Sequence, residues 1–205
     1  MADEKLNGRE AQRRQTRERL YAVAIAEFKR TGMAAADVGV IAKEAGVARG
    51  TFYFHFPTKE HVLAEMERGE EARVAAQLSR FLAGPHDLPG ALAEVIRLMT
   101  SMERRVGKAL FQEMLALHFS PRRPEVLPGA ENWNAYPVMT LVVQAVELAR
   151  ERGEVYPGAD ALRTAQFFML GLYAMLITSH DHPRAVRAEI LDNFRTIVMR
   201  GVESR

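Results

Sequence analysis

The chain reads as an all-α protein of about nine helices in two parts. Apolar residues recur at spacings of three and four along almost all of its 205 residues, and Gly and Pro punctuate them at helix-length intervals. No stretch alternates apolar with polar residues as a half-buried strand does, and neither an internal repeat nor a low-complexity tract interrupts the pattern. With 48% hydrophobic residues the chain has enough apolar surface for a real core.

Leu20, Val23, Ala24 and Phe28 set a first helix over about Glu10 to Thr31, closed by Gly32. Asp37 is placed to cap a short second helix by accepting from the N–H of Gly39 or Val40, and Val38, Ile41, Ala42 and Ala45 make its inner face. Gly46 supplies a sharp turn, with Val47 as an apolar plug beneath it, and a third short helix starts near Ala48. Thr58 is expected to cap a fourth helix reaching about Leu82, with Leu63, Met66, Val74, Leu78 and Phe81 on its apolar stripe. The Gly- and Pro-rich stretch 83–90 is a compositional break without the character of a flexible linker. Beyond it, Leu92, Val95, Ile96, Met99, Met102 and Val106 mark a fifth helix; Leu110, Met114 and Leu117 mark a sixth, stopped by Pro121 and Pro124. A seventh, apolar nearly all round, begins at about Asn134 and closes at Gly153. Asp160 caps an eighth through about Ser179, and Val186, Ile190, Phe194, Ile197 and Val198 mark a ninth.

Composition excludes several chemistries. There is no cysteine, hence no disulfide framework, thiol nucleophile or cysteine-ligated metal, and no metal site or cofactor is expected. No Ser-His-Asp order, Gly-rich phosphate loop or metal-binding helix motif is present, so no catalytic residue is assigned and the chain is not expected to be an enzyme. In the 179–183 stretch, His180 and His182 flank Asp181, but a polar loop between helices accounts for them better than a metal site. The N-terminus is charged and lacks the apolar core of a signal peptide, which predicts a cytoplasmic protein. The most apolar run, Phe167 to Ile177, falls well short of the ~20 residues that cross a bilayer and reads as a buried helix, so no membrane partner is expected. Charge is nearly balanced at 28 basic against 26 acidic residues, yet residues 1–61 hold 11 Lys/Arg against 8 Asp/Glu, concentrated between Lys5 and Arg19.

The chemistry gathers between Val40 and Phe56. Two short helices joined by a tight Gly turn, the second rich in polar and basic groups, form a helix-turn-helix, whose second helix is narrow enough for the DNA major groove. Ala48, Arg49, Gly50 and Thr51 stand at its leading end, where Arg49 has the fork geometry to bond guanine O6 and N7. Phe54 shares the exposed face with Thr51 and can touch a thymine methyl, while Phe52 and Phe56 belong to the core. Tyr53, His55 and Lys59 fall on the flank, in position to donate to phosphate oxygens.

The stretch DVGVIAKEAGVARGTFYFHFPTKEHVL resembles the DNA-binding signature of the TetR family of transcriptional repressors. Ile41, Ala42, Ala45, Gly46, Val47, Gly50, Thr51, Tyr53, His55, Phe56, Lys59, Glu60 and Leu63 match the family pattern, whereas Ala48 stands where the family often has Ser or Thr, and Asp37 where Thr is common. The resemblance implies a three-helix DNA-binding domain (1–57), a C-terminal ligand-binding and dimerisation domain (58–205), a homodimer built through the last two helices, a near-palindromic double-stranded DNA operator and a small-molecule effector of unknown identity. As effector-lining residues we take Met99, Met102, Phe111, Met114, Trp133, Tyr136, Met139, Phe168 and Tyr173. Met packs adaptably against flexible apolar ligands, and Trp and Tyr bring a polar tip to an apolar wall. Each of them also suits an ordinary core. Two other readings stay open: a regulator that needs no small molecule, and an enzyme or carrier with an appended helix-turn-helix.

Overall fold

The computed structural model describes residues 2–121, 123–125, 127 and 135–203, with the side chains of residues 2–7 left aside. Among the described residues there are nine helices and no strand; a lone antiparallel bridge joins Val155 to Glu203. The helices are α1 (Ala2–Thr31), α2 (Val38–Glu44), α3 (Arg49–His55), α4 (Lys59–Leu82), α5 (Leu88–Val106), α6 (Lys108–His118), α7 (Pro137–Glu151), α8 (Ala161–Thr178) and α9 (Arg184–Val202).

The all-α reading and the element order hold, and α4 is unbroken over the expected span. Two boundaries differ. α1 begins at Ala2 rather than near Glu10, because residues 2–9 include good helix formers such as Ala, Glu, Lys and Arg but carry no apolar stripe for periodicity to detect. α7 begins at Pro137, where the missing N–H costs nothing in a first turn, behind Tyr136 in an extended conformation.

The chain packs as two compact units, one of Met1–Glu67 with Ala109–Leu127, the other of Arg68–Lys108 with Pro128–Arg205. The division falls inside α4, and it takes the α6 segment into the N-terminal unit; the cut at 57/58 read from the sequence follows the DNA-reading motif instead.

In the first unit α2 packs on α1 and α3 on α2. Leu20, Ala24 and Phe28 of α1, Ile41 and Ala42 of α2, Phe52 and Phe56, and Val62, Leu63 and Ala64 of α4 are fully buried. Leu20, Ala24 and Phe28 follow one another at intervals of four, as one apolar helical face demands.

In the second unit α8 packs between α7 and α9, and α5 contacts both α7 and α9. Asp87 caps α5 by accepting from Gly90 N at 2.8 Å, Glu154 accepts from Leu88 N at 2.8 Å, and Asp160 caps α8 through Arg163 N at 3.0 Å. Gly171 lets α8 and α9 meet closely, since a Cβ there would lie 2.5 Å from the Phe194 ring, which itself stacks on Phe168 at 5.7 Å between centroids.

α8 departs from the expectation of a buried helix. Its eighteen residues are long and apolar enough, by length and composition, to cross a membrane. Phe168, Met169, Leu172 and Leu176 are buried, yet Phe167, Leu170 and Ile177 stand in solvent on the opposite face. Phe167 is 66% exposed and Ile197 on α9 68% exposed. An apolar stripe of this kind facing water asks for a cover.

Candidate nucleic-acid interface

The turn between α2 and α3 is built by backbone bonds that its sequence dictates. Asp37 Oδ1 accepts from Gly39 N at 2.6 Å, satisfying a free donor at the start of α2. At the other end Gly46 takes φ +66°, which only glycine adopts without strain. Its N–H then reaches Lys43 O at 3.0 Å and that of Val47 reaches Ala42 O at 3.0 Å, the paired bonds of a Schellman closure. Ala48 follows in extended conformation, offering no side-chain cap, and α3 begins at Arg49.

Seven residues make α3, and their burial splits it lengthwise. Phe52 and the following Phe56 are fully buried, while Ala48, Arg49, Gly50, Tyr53 and Phe54 are exposed and Thr51 and His55 half-buried. Phe54 is 66% and Tyr53 44% exposed, large apolar surfaces for residues with no structural reason to face water. The Arg49 guanidinium lies 6.0 Å from the centre of the Tyr53 ring, and its hydrogen bond to Tyr53 raises its pKa.

α1 contributes two arginines that the motif alone did not single out. Arg13 sits over the Phe54 ring at 5.0 Å and Arg17 over the Phe56 ring at 4.4 Å, the latter also donating to Glu65 at 2.6 Å. Arg17 thereby fixes α1 against α3 and α4, whereas Arg13 is an exposed cation beside the reading face. The basic cluster from Lys5 to Arg19 was the signal, but only the fold shows which members meet α3.

Burial lowers the pKa of His55, and Arg13 and Arg17 push it the same way. The folded imidazole therefore binds protons less readily than the unfolded one, whose ordinary value is 6.5. The sign follows: above that value His55 is neutral in both states and costs nothing, and as pH falls below it the unfolded chain gains protons first and folding weakens. His55→Gln is expected to flatten the loss of urea stability between about pH 7.5 and about 5.5. An unchanged pH slope would show that His55 is not the group responsible.

Lys59 departs from its expected role. Its ammonium donates to Met33 O at 2.6 Å, Ala34 O at 2.9 Å and Ala36 O at 3.1 Å, so its three protons are spent on the loop between α1 and α2. On the same corner Glu113 of α6 accepts from Met33 N at 3.0 Å. In the free chain Lys59 thus braces the helix-turn-helix. Lys59→Met is expected to lower unfolding free energy by about 1–3 kcal/mol and to leave the salt dependence of DNA binding unchanged, while Arg13→Ala reduces that log–log slope by about one. Salt titrations of both variants check this, and a flattened slope for Lys59→Met would restore the phosphate role.

The residues taken to line an effector site are less clearly gathered. Met99, Met102, Tyr136, Met139, Phe168 and Tyr173 are buried in the second unit. Phe111 and Met114 are buried but belong to the stretch that clusters with the first unit, and Trp133 lies outside the described residues. In the 179–183 loop the polar groups turn to separate partners: His180 to Glu103 at 2.6 Å and Asp181 to Lys108 at 2.5 Å, which holds the Asp181 carboxyl below its usual range.

Residues 20–66 match the family model described as bacterial regulatory proteins, tetR family. Over 183 residues, 89% of this chain and 91% of the relative, the sequence is 23% identical to the HTH-type transcriptional regulator UidR of Escherichia coli (strain K12). Over 103 residues, 49% of this chain and 48% of the relative, it is 30% identical to the HTH-type transcriptional regulator AcrR of Shigella flexneri. Among solved structures, the FadR repressor of Thermus thermophilus in complex with lauroyl-CoA superposes with a TM-score of 0.70 at 23% identity, covering 92% of this chain and 96% of that one.

Proposed function

We propose that this chain, which belongs to the TetR family of transcriptional regulators, represses transcription by binding a near-palindromic operator as a homodimer and is released by a small, largely apolar effector. The two curated relatives above are named as transcriptional regulators. The observation that carries the reading is the lengthwise split of α3, whose polar and aromatic residues Arg49, Thr51, Tyr53 and Phe54 stand outward while Phe52 anchors it. Within this reading residues 1–57 are the DNA-binding domain and 58–205 the ligand-binding and dimerisation domain. Ala48, Arg49, Gly50 and Thr51 meet base edges, Phe54 a thymine methyl, and Tyr53, His55 and Arg13 the phosphate backbone.

The exposed stripe of Phe167, Leu170 and Ile177 on α8, with Val186 and Ile197 on α9, supports a two-fold four-helix interface. Two recognition helices about 34–36 Å apart would then meet successive major grooves. The lauroyl-CoA complex of the Thermus thermophilus repressor supports an effector with a long apolar part. α4, unbroken from Lys59 to Leu82, is a stiff rod through which effector binding is felt at the DNA-reading end. A differential affinity of ~1–3 kcal/mol between DNA-competent and DNA-incompetent states weakens the operator by about 5- to 150-fold, and DNA weakens the effector by the same factor.

Selection of random duplexes on the full chain tests the reading. Recovery of an inverted repeat is the expected result, and recovery of unrelated sequences overturns it. Operator affinity with and without lauroyl-CoA as a first probe then reads the effector part.

A further inference from the structure

A cleft of about 520 Å³ runs between α5 and α9 in the second unit, of a size suited to a small molecule. Its two walls are helical stripes: Ala93, Ile96, Arg97, Thr100 and Arg104 on α5, and Arg184, Arg187, Ala188, Leu191, Asp192 and Arg195 on α9, with His180 and His182 at the loop end. The helices run in opposite senses along it, because Arg187 bonds Glu103 near one end while Arg195 reaches Pro89 O near the other.

The cations of the cleft are not alike. Arg97 forks onto Glu94 at 2.7 and 2.6 Å, Arg195 onto Asp192 at 3.2 and 2.6 Å, and Arg187 is held by buried Glu103, whose other oxygen meets His180. Arg104 and Arg184, at the same end as Arg187, are exposed and have no acid partner among the described residues. Beside them α9 opens on Pro183 with no side-chain cap, so the positive end of a nineteen-residue helix adds to the charge of Arg184. Uncompensated positive charge and an aliphatic floor of Ile96, Ala188 and Leu191 thus lie in one cleft.

We propose that this cleft binds an organic anion, a phosphate or carboxylate carrying a short apolar group. Its head bonds Arg104 and Arg184 at the mouth of α9, and its apolar part covers Ile96 and Leu191. Arginine suits such a head because its fork matches the two oxygens of a carboxylate or phosphate. Bare phosphate leaves the aliphatic floor wet, and a neutral alcohol leaves the two arginines unused. The site lies within the second unit and does not depend on the repressor reading.

Titration calorimetry on the full chain tests it with hexyl phosphate, inorganic phosphate and hexanol as probes. Hexyl phosphate is expected to bind more tightly than either of its halves. The exposed pair Arg104→Ala with Arg184→Ala is expected to weaken it by about tenfold or more. Ala188→Trp, which fills the cleft without altering its charge, is expected to weaken it to a similar degree. Failure of hexyl phosphate to bind, or equal binding by the parent chain and both variants with circular dichroism unchanged, overturns the site.

Discussion

A chain carrying Phe167→Glu together with Ile197→Glu is expected to sediment as a monomer and to lose its operator. Both residues are two-thirds exposed in a single chain, so the substitutions leave the interior of the subunit intact. In a two-fold interface each change counts twice. Burying a carboxylate where a phenyl ring or an isoleucine was covered costs about 3 kcal/mol or more for each contact, which removes at least several orders of magnitude from dimer affinity. Without the second subunit the DNA-reading helices act singly and half of the base and phosphate contacts vanish. Analytical ultracentrifugation at micromolar concentration checks the first step and gel mobility the second. A double variant that remains dimeric would place the interface elsewhere.

Arg49→Ala is expected to weaken the operator by about 1–3 kcal/mol for each half-site and to flatten the preference between specific and random sequence. The reason lies in geometry: Arg49 is the first residue of α3, exposed, and held against Tyr53 rather than against an acid. Nothing anionic has to be displaced before the fork turns to guanine. Equal losses on specific and random duplexes would make Arg49 a phosphate contact and not a reader of bases.

The helix-turn-helix was legible because each of its residues acts through near neighbours. Asp37 caps two residues on, Gly46 needs only its own φ, and the burial of Phe52 and Phe56 follows from helical spacing. The brace made by Lys59 was not legible for the opposite reason, since the carbonyls that hold it come from residues 33–36 and nothing in the local pattern announces them. The start of α1 escaped because charge-rich helices leave no apolar trace. The buried Met and aromatic residues of the second unit were recognisable as apolar, yet periodicity cannot tell a wall from a filling. The arginines of the α5–α9 cleft lie almost a hundred positions apart at their extremes, beyond any window of sequence reading.

The N-terminal unit closes only with the segment Ala109–Leu127, through which Glu113 accepts the N–H of Met33. A reading head cut from this chain at residue 57 would lack both that carboxylate and the Lys59 ammonium, leaving the corner between α1 and α2 with unmet backbone groups on either side. Exchanging heads between regulators of this kind is therefore not a matter of joining one continuous cassette to another. A working hybrid has to bring two separated pieces of chain from the same parent, and homologous recombination at a single crossover would tend to break what it sets out to transplant.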